Sequence, residues 1–94
     1  MAIVVKVVDG MIEEYENGSY RRRYGQNIVD ADNDGELVVA VTAKGCVEEY
    51  ESGSYRRRYG QNAKKVHISG GTVAVTLNDG GVEEYENGSY RRRY

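Results

Sequence analysis

The amino-acid sequence predicts an all-β protein built from antiparallel four-stranded meander units. The segment EEYENGSYRRRY occurs at 13–24, 48–59 and 83–94, changed only by Ser52 in the second copy. Turn pairs such as Asn-Gly and Asp-Gly recur between short runs rich in Val, Ile, Thr and Tyr, a pattern typical of strands joined by hairpins. Self-similarity at a fixed 35-residue period indicates one supersecondary unit that is stacked several times.

Length and composition limit the number of domains, the cellular location and any membrane association. The 94 residues predict a single domain of three repeats, at 1–35, 36–70 and 71–94, the last truncated. Cys46 is the only cysteine, so the chain cannot form an internal disulfide, and this favours a cytoplasmic location. No apolar run approaches the roughly 18 residues of a membrane-spanning helix, and we expect no membrane partner.

Three apolar runs are the predicted core strands, at Ile3–Val7, Val38–Thr42 and Val73–Leu77. Near-continuous apolar runs are expected where both faces of a strand are covered. A further strand precedes two of them, at Ile28–Ala31 and Lys65–Ile68. With the two strands of each charged hairpin, the count predicts eleven strands in all.

The twelve-residue segment predicts a hairpin, because Asn17-Gly18 suits a type I′ turn in which both residues have positive φ. A two-residue loop with no irregularity places Tyr15 opposite Tyr20. It also pairs Glu14 with Arg21 and Glu13 with Arg22 across the strands. The same register leaves one arginine of each copy opposite an apolar residue, and these are Arg23, Arg58 and Arg93, opposite Ile12, Val47 and Val82.

The sequence from Val73 to Tyr85 reads V-x-V-T-x-x-x-G-x-V-x-x-Y and resembles the inner two strands of a β-propeller blade. The resemblance implies a propeller-like architecture. Because three units are fewer than the four to eight blades of a usual propeller, we expect a homodimer that closes a six-unit ring. The alternative is a threefold β-prism-like monomer, similar to the mannose-binding lectins of monocots. Their sugar motif Q-x-D-x-N-x-V-x-Y is not matched, since this chain has Leu77, Gly81 and Glu83 at three of its positions.

One acidic run has the spacing of a calcium-binding loop. Asp30, Asp32 and Asp34 alternate along the chain, and Gly35 follows at a turn. An EF-hand would continue to a glutamate at the twelfth position, where this chain has Val41. The favoured interpretation is therefore an acidic, solvated turn, with calcium as the alternative and no other cofactor expected.

The repeated tyrosines and arginines are the candidate ligand-binding residues. Each copy carries as many glutamates as arginines and the net charge is −2, which disfavours nucleic acid as a partner. We predict a non-enzymatic module for self-assembly and multivalent protein interaction. The alternative is a small-molecule or carbohydrate-binding, lectin-like module with one tyrosine-lined site per repeat. The candidate residues are Tyr15, Tyr20, Arg23, Tyr50, Tyr55, Arg58, Tyr85, Tyr90 and Arg93.

No catalytic group is indicated. His67 is the only histidine, and it has no patterned acid partner. Cys46 occupies the position that Met11 and Gly81 hold in the other repeats, which is typical of a packing residue. We therefore expect that the protein is not an enzyme.

Overall fold

In the computed structural model, which describes residues 2–94, the chain forms eleven antiparallel strands in three sheets. Sheet 1 contains β1–β3, sheet 2 contains β4–β7 and sheet 3 contains β8–β11, each in sequential order. The predicted all-β meander and its eleven strands are confirmed. The strands are β1 Ile3–Val8, β2 Met11–Glu16, β3 Ser19–Tyr24, β4 Ile28–Asp34, β5 Leu37–Thr42, β6 Val47–Glu51, β7 Ser54–Tyr59, β8 Ala63–Ser69, β9 Thr72–Leu77, β10 Val82–Glu86 and β11 Ser89–Arg93.

The sheets do not coincide with a division of the chain at residues 35 and 70. Those positions lie in the β4–β5 and β8–β9 turns, inside sheets 2 and 3. The sheets are separated instead at the Gly-Gln-Asn loops, residues 25–27 and 60–62. Over residues 2–94 the structure contains no helix of the length and apolar character needed to span a bilayer.

The hairpin turns have the geometry that their residues predict. Asn17 and Gly18 have φ values of 52° and 86°, as a type I′ turn requires. The corresponding pairs, Ser52-Gly53 and Asn87-Gly88, also have positive φ at both residues. Turn chemistry therefore sets the position of all three charged hairpins, namely β2–β3, β6–β7 and β10–β11.

Strand β5 is almost entirely apolar because both of its faces are buried. Val38 and Ala40 point into the cluster between sheets 1 and 2, whereas Val39 and Val41 point into the cluster between sheets 2 and 3. All four side chains are fully buried. Burying each valine contributes roughly 1.5 kcal/mol or more. The central sheet therefore supplies side chains to both halves of the core.

The register within each charged hairpin differs from the expected one. Tyr15 pairs with Tyr20, but the register then shifts, so that Glu14 pairs with Arg22 rather than Arg21. Arg21 is the extra residue of a β-bulge. Sheets 2 and 3 shift at the same place, between Glu49 and Tyr50 and between Glu84 and Tyr85. The expected regular ladder was therefore wrong beyond its first two pairs.

The bulge has a clear structural consequence. By moving β3 one residue along β2, it brings Tyr24 opposite Ile12 and onto the face that carries Glu14. Tyr24 then donates a hydrogen bond to the Glu14 carboxylate. A regular ladder would place this tyrosine on the opposite face, where the bond could not form.

Candidate functional site

Each charged hairpin carries a glutamate, an arginine and a tyrosine joined on the face that looks toward the following sheet. In sheet 2, Arg57 Nη1 lies 2.9 Å from Glu49 Oε1, and the Tyr59 hydroxyl donates to Glu49 Oε2. The Glu49 side chain is almost completely buried. We call these groups the forward networks, and their counterparts are Glu14–Arg22–Tyr24 and Glu84–Arg92–Tyr94.

A second network occupies the opposite face of each hairpin. The Tyr50 hydroxyl donates to Glu48 Oε1 at 2.7 Å, and Arg58 Nη2 lies 2.9 Å from Glu48 Oε2. Arg23 and Arg93 lie farther from the equivalent acids, 3.6 Å from Glu13 and 3.8 Å from Glu83, and Arg93 also donates a hydrogen bond to Asp79 at 2.9 Å. The expectation that Arg23, Arg58 and Arg93 face apolar residues without an acid was therefore wrong, because the bulge brings an acid opposite each.

The forward networks of sheets 1 and 2 pack against the next sheet along the chain. The Tyr24 and Tyr50 rings lie 4.9 Å apart between sheets 1 and 2, and the Tyr59 and Tyr85 rings lie 4.6 Å apart between sheets 2 and 3. Arg22 also covers the turn of the next hairpin, since a Cβ on Gly53 would come 2.6 Å from its Cδ. Arg57 covers the Asn87-Gly88 turn identically. The arginine and the last tyrosine of the first two copies are thus used to join sheets.

These tyrosines should resist ionisation. Burial and a hydrogen bond donated to Glu83 raise the pKa of Tyr85 to about 12, from an ordinary 10.0. Burial and the bond to Glu49 raise the pKa of Tyr59 further, and Tyr24 behaves alike beside Glu14. A raised pKa favours the neutral form in the folded state.

The raised pKa values make the stability of the fold depend on pH. Stability from these tyrosines is fully present below pH 10.0 and is lost as the pH rises through their folded-state pKa values. We expect cooperative unfolding above pH 10, with tyrosinate absorbance and loss of β-sheet circular dichroism rising together. If all nine tyrosines ionised near pH 10 while the circular dichroism stayed unchanged, the buried networks would be contradicted.

Three other tyrosines are exposed in equivalent positions. Tyr20, Tyr55 and Tyr90 lie on the edge strands β3, β7 and β11 and are 55% to 57% exposed. We call them the exposed tyrosine set. Each ring meets the edge of a more buried tyrosine, with centroid distances of 5.8 to 5.9 Å. The structure therefore presents one aromatic surface three times.

Two cavities lie at equivalent sheet junctions. The first, of about 500 Å³, is at the junction of sheets 1 and 2, and the second, of about 260 Å³, is at the junction of sheets 2 and 3. Of the candidate ligand-binding residues, Tyr50 and Arg58 line the first cavity and Arg93 lines the second; the exposed tyrosine set lines neither. Other lining residues include Gln26, Asn27, Lys44, Cys46 and Glu48 in the first, and Gln61, Asn62, Asp79 and Glu83 in the second.

The acidic run lies along strand β4. Asp30, Asp32 and Asp34 lie on strand β4, and their carboxylates accept hydrogen bonds from the backbone N–H groups of residues 66, 68 and 70 at 2.9 to 3.1 Å. His67 Nδ1 lies 2.8 Å from Asp32 Oδ2. Across residues 2–94 no three acidic, histidine or cysteine side chains are grouped to hold a metal. The run joins β4 to β8 of the next sheet, so the solvated-turn interpretation was wrong for Asp30 and Asp32.

A family model described as "Helicobacter pylori IceA2 protein" matches the chain twice, over residues 1–53 and 45–94. The chain belongs to this IceA2 family.

The IceA2-family chain is similar in structure to a solved β-propeller protein. It matches the crystal structure of BamB from Moraxella catarrhalis with a TM-score of 0.78 and 21% sequence identity, covering 98% of this chain. It spans about a third of BamB, 32% of that chain. The likeness shows a propeller-like repeat fold and favours it over the prism-like alternative. No curated protein matches the chain.

Sequence reasoning missed two features of the IceA2-family chain. It paired the glutamates with arginines but did not place Glu14 and Glu49 in the interior, where they are buried. The available signal was the tyrosine that closes each copy, at positions 24, 59 and 94, which supplies the hydroxyl donor. It also missed the cavities, because these lie between sheets and draw on loops distant in sequence.

Proposed function

We propose that this IceA2-family chain is a non-enzymatic, cytoplasmic module that binds a partner protein through the exposed tyrosine set and also associates with itself. The observation that carries the proposal is the exposure of Tyr20, Tyr55 and Tyr90 in three equivalent environments. Tyrosine is among the residues that contribute most binding energy at protein interfaces. Three equal contacts on one rigid body gain affinity through effective concentration, even when each is weak.

The setting of these rings supports the proposal. Each exposed ring is held against the edge of a more buried tyrosine, which lowers the entropy lost when a partner immobilises it. The charged residues of the hairpins are largely committed to pairs within the chain, as with Glu49 and Arg57. They are therefore poor candidates for acid–base chemistry, which supports a binding role. The cytoplasmic location rests on the single cysteine, Cys46, which leaves the chain without an internal disulfide.

The test is a graded series of tyrosine substitutions. A protein captured from a cell lysate on the immobilised chain would be purified, and its affinity measured for single, double and triple Tyr→Ser variants at positions 20, 55 and 90. We expect the affinity for the partner to fall stepwise from single to triple variants. The triple variant should lose far more than three times the affinity that a single variant loses. Val29→Ser is the control, because Val29 is equally exposed but lies on β4. Undiminished binding by the triple variant would exclude this surface.

The cavities support a second candidate function, a small-molecule or carbohydrate-binding module. Each cavity combines side-chain amides of a Gly-Gln-Asn loop with an arginine–glutamate pair, a set that suits sugar hydroxyls. A glycan array probed with wild-type protein and with the Arg58→Ala and Arg93→Ala variants tests it. Binding that requires these arginines and survives the triple tyrosine change would favour the second candidate over the first.

A further inference from the structure

The two outermost sheets each expose a surface that is buried wherever it recurs inside the chain. On sheet 1, Val4 pairs with Tyr15 and is 60% exposed. Its counterparts are Val38, which pairs with Tyr50, and Val73, which pairs with Tyr85, and these are 0% and 1% exposed. They are buried because the preceding sheet covers them. We call the Val4 surface, with Tyr15 and the Asn17-Gly18 turn, the leading face.

The opposite end shows the complementary exposure. On sheet 3, Tyr94 is 66% exposed, although its counterparts Tyr24 and Tyr59 are partly buried by the following sheet. Arg92 is likewise open, with 63% of its side chain exposed against 30% for Arg57. We call this surface, formed by Glu84, Arg92 and Tyr94, the trailing face.

The chain already shows how a trailing face meets a leading face. At the junction of sheets 2 and 3, the Tyr59 ring packs on the Tyr85 ring and Arg57 covers the Asn87-Gly88 turn. The junction of sheets 1 and 2 repeats this with the same residue types. Apart from Val4, the residues of the two free faces come from the same repeated segment, identical in its first and third copies.

We propose that the trailing face of one copy docks on the leading face of a second copy, reproducing this junction between chains. The Tyr94 ring packs on the Tyr15 ring of the second copy, and Arg92 covers its Asn17-Gly18 turn. The space above Gly18 is open, with no atom within 4 Å of a Cβ built there, whereas Arg22 and Arg57 fill the corresponding space at Gly53 and Gly88. This inference rests on the self-association in the proposed function and names the surfaces that carry it.

The interface is head-to-tail, so each copy offers one face of each kind. Two copies that join at both faces close a ring of six sheets, which lies within the range of usual propellers. The exposed tyrosine set lies on the outer edge strands and stays free in this arrangement. Self-association and partner binding can therefore be removed separately.

The test is the mass in solution, measured by size-exclusion chromatography with light scattering over a wide range of protein concentration. We expect twice the 10.5 kDa of one chain for the wild type and the mass of one chain for Val4→Glu. Val29→Glu is the matched control and should remain a dimer, since it places the same charge at an equally exposed valine on β4. Circular dichroism confirms that each variant is folded.

A mixing experiment then tests the head-to-tail geometry. The double variant Arg92→Glu/Tyr94→Ala blocks the trailing face and should also have the mass of one chain. Mixed with Val4→Glu, it should form a heterodimer, because one intact leading face meets one intact trailing face. A wild type that stays a single chain at every concentration would overturn the proposal, as would a dimer that survives Val4→Glu or a mixture that does not associate. The tyrosine variants test partner binding separately. If they lose partner binding, the self-association measured here should be unchanged.

Discussion

Replacing Glu49 with alanine is expected to lower the free energy of unfolding by about 3 kcal/mol. Glu49 is 1% exposed, and its carboxylate receives hydrogen bonds from Arg57 and Tyr59. Removing one partner of a buried pair costs about 3–5 kcal/mol, because the remaining charge loses its compensation. The lower end applies here, since the Arg57 side chain is 30% exposed and keeps some contact with water. Urea denaturation followed by circular dichroism measures the change.

The chain contains its own control for this experiment. Glu84 makes the same contacts, with Arg92 and Tyr94, but on the open trailing face of sheet 3. Glu84→Ala should therefore cost much less than Glu49→Ala when both are measured as monomers in the Val4→Glu background. If both substitutions lowered the free energy of unfolding equally, the networks would stabilise only their own hairpins. Burial by the next sheet would then add nothing to their contribution.

The strands were predictable because local chemistry determines them. Type I′ turns require positive φ at two successive residues, and Asn17-Gly18 satisfies this with little strain. The apolar character of β5 correctly indicated a strand covered on both faces. Both features can be read from a few neighbouring residues.

The register of the hairpins could not be found in the same way. Pairing charges across a regular two-residue turn gives a complete and plausible ladder, with Glu14 opposite Arg21. The actual bulge places Tyr24 where it reaches Glu14 and packs on Tyr50 of the next sheet. The packing of Tyr24 on Tyr50 links residues in different repeats, so a hairpin considered alone contains no sign of it.

The binding partner of the acidic run also could not be predicted from nearby residues. Alternating aspartates on a strand point to one side of it, and only the position of the neighbouring strand decides what they bind. Here that neighbour is β8, whose backbone N–H groups face β4. The spacing showed that the carboxylates alternate, but it could not show that they accept hydrogen bonds from backbone N–H groups of another sheet.

Removing the two inner carboxylates of this run is the second change with a large expected effect. Asp30 and Asp32 accept hydrogen bonds from the backbone N–H groups of Val66 and Ile68, which are buried residues. Leaving a buried donor unsatisfied costs about 1–3 kcal/mol, so Asp30→Ala/Asp32→Ala should lower the free energy of unfolding by roughly 2–6 kcal/mol. Urea denaturation is again the measurement.

Two comparisons assign the loss to these hydrogen bonds. Asp30→Asn/Asp32→Asn keeps a carbonyl oxygen at each acceptor position, so it should retain most of the stability lost in the alanine variant. Asp34→Ala should cost little, because the N–H of Gly70 is exposed and can bind water instead. If the asparagine and alanine variants were equally unstable, the carboxylate charge and not the hydrogen bond would join the sheets. The stability would then also fall steeply with added salt, since exposed charges are screened and satisfied N–H groups are not.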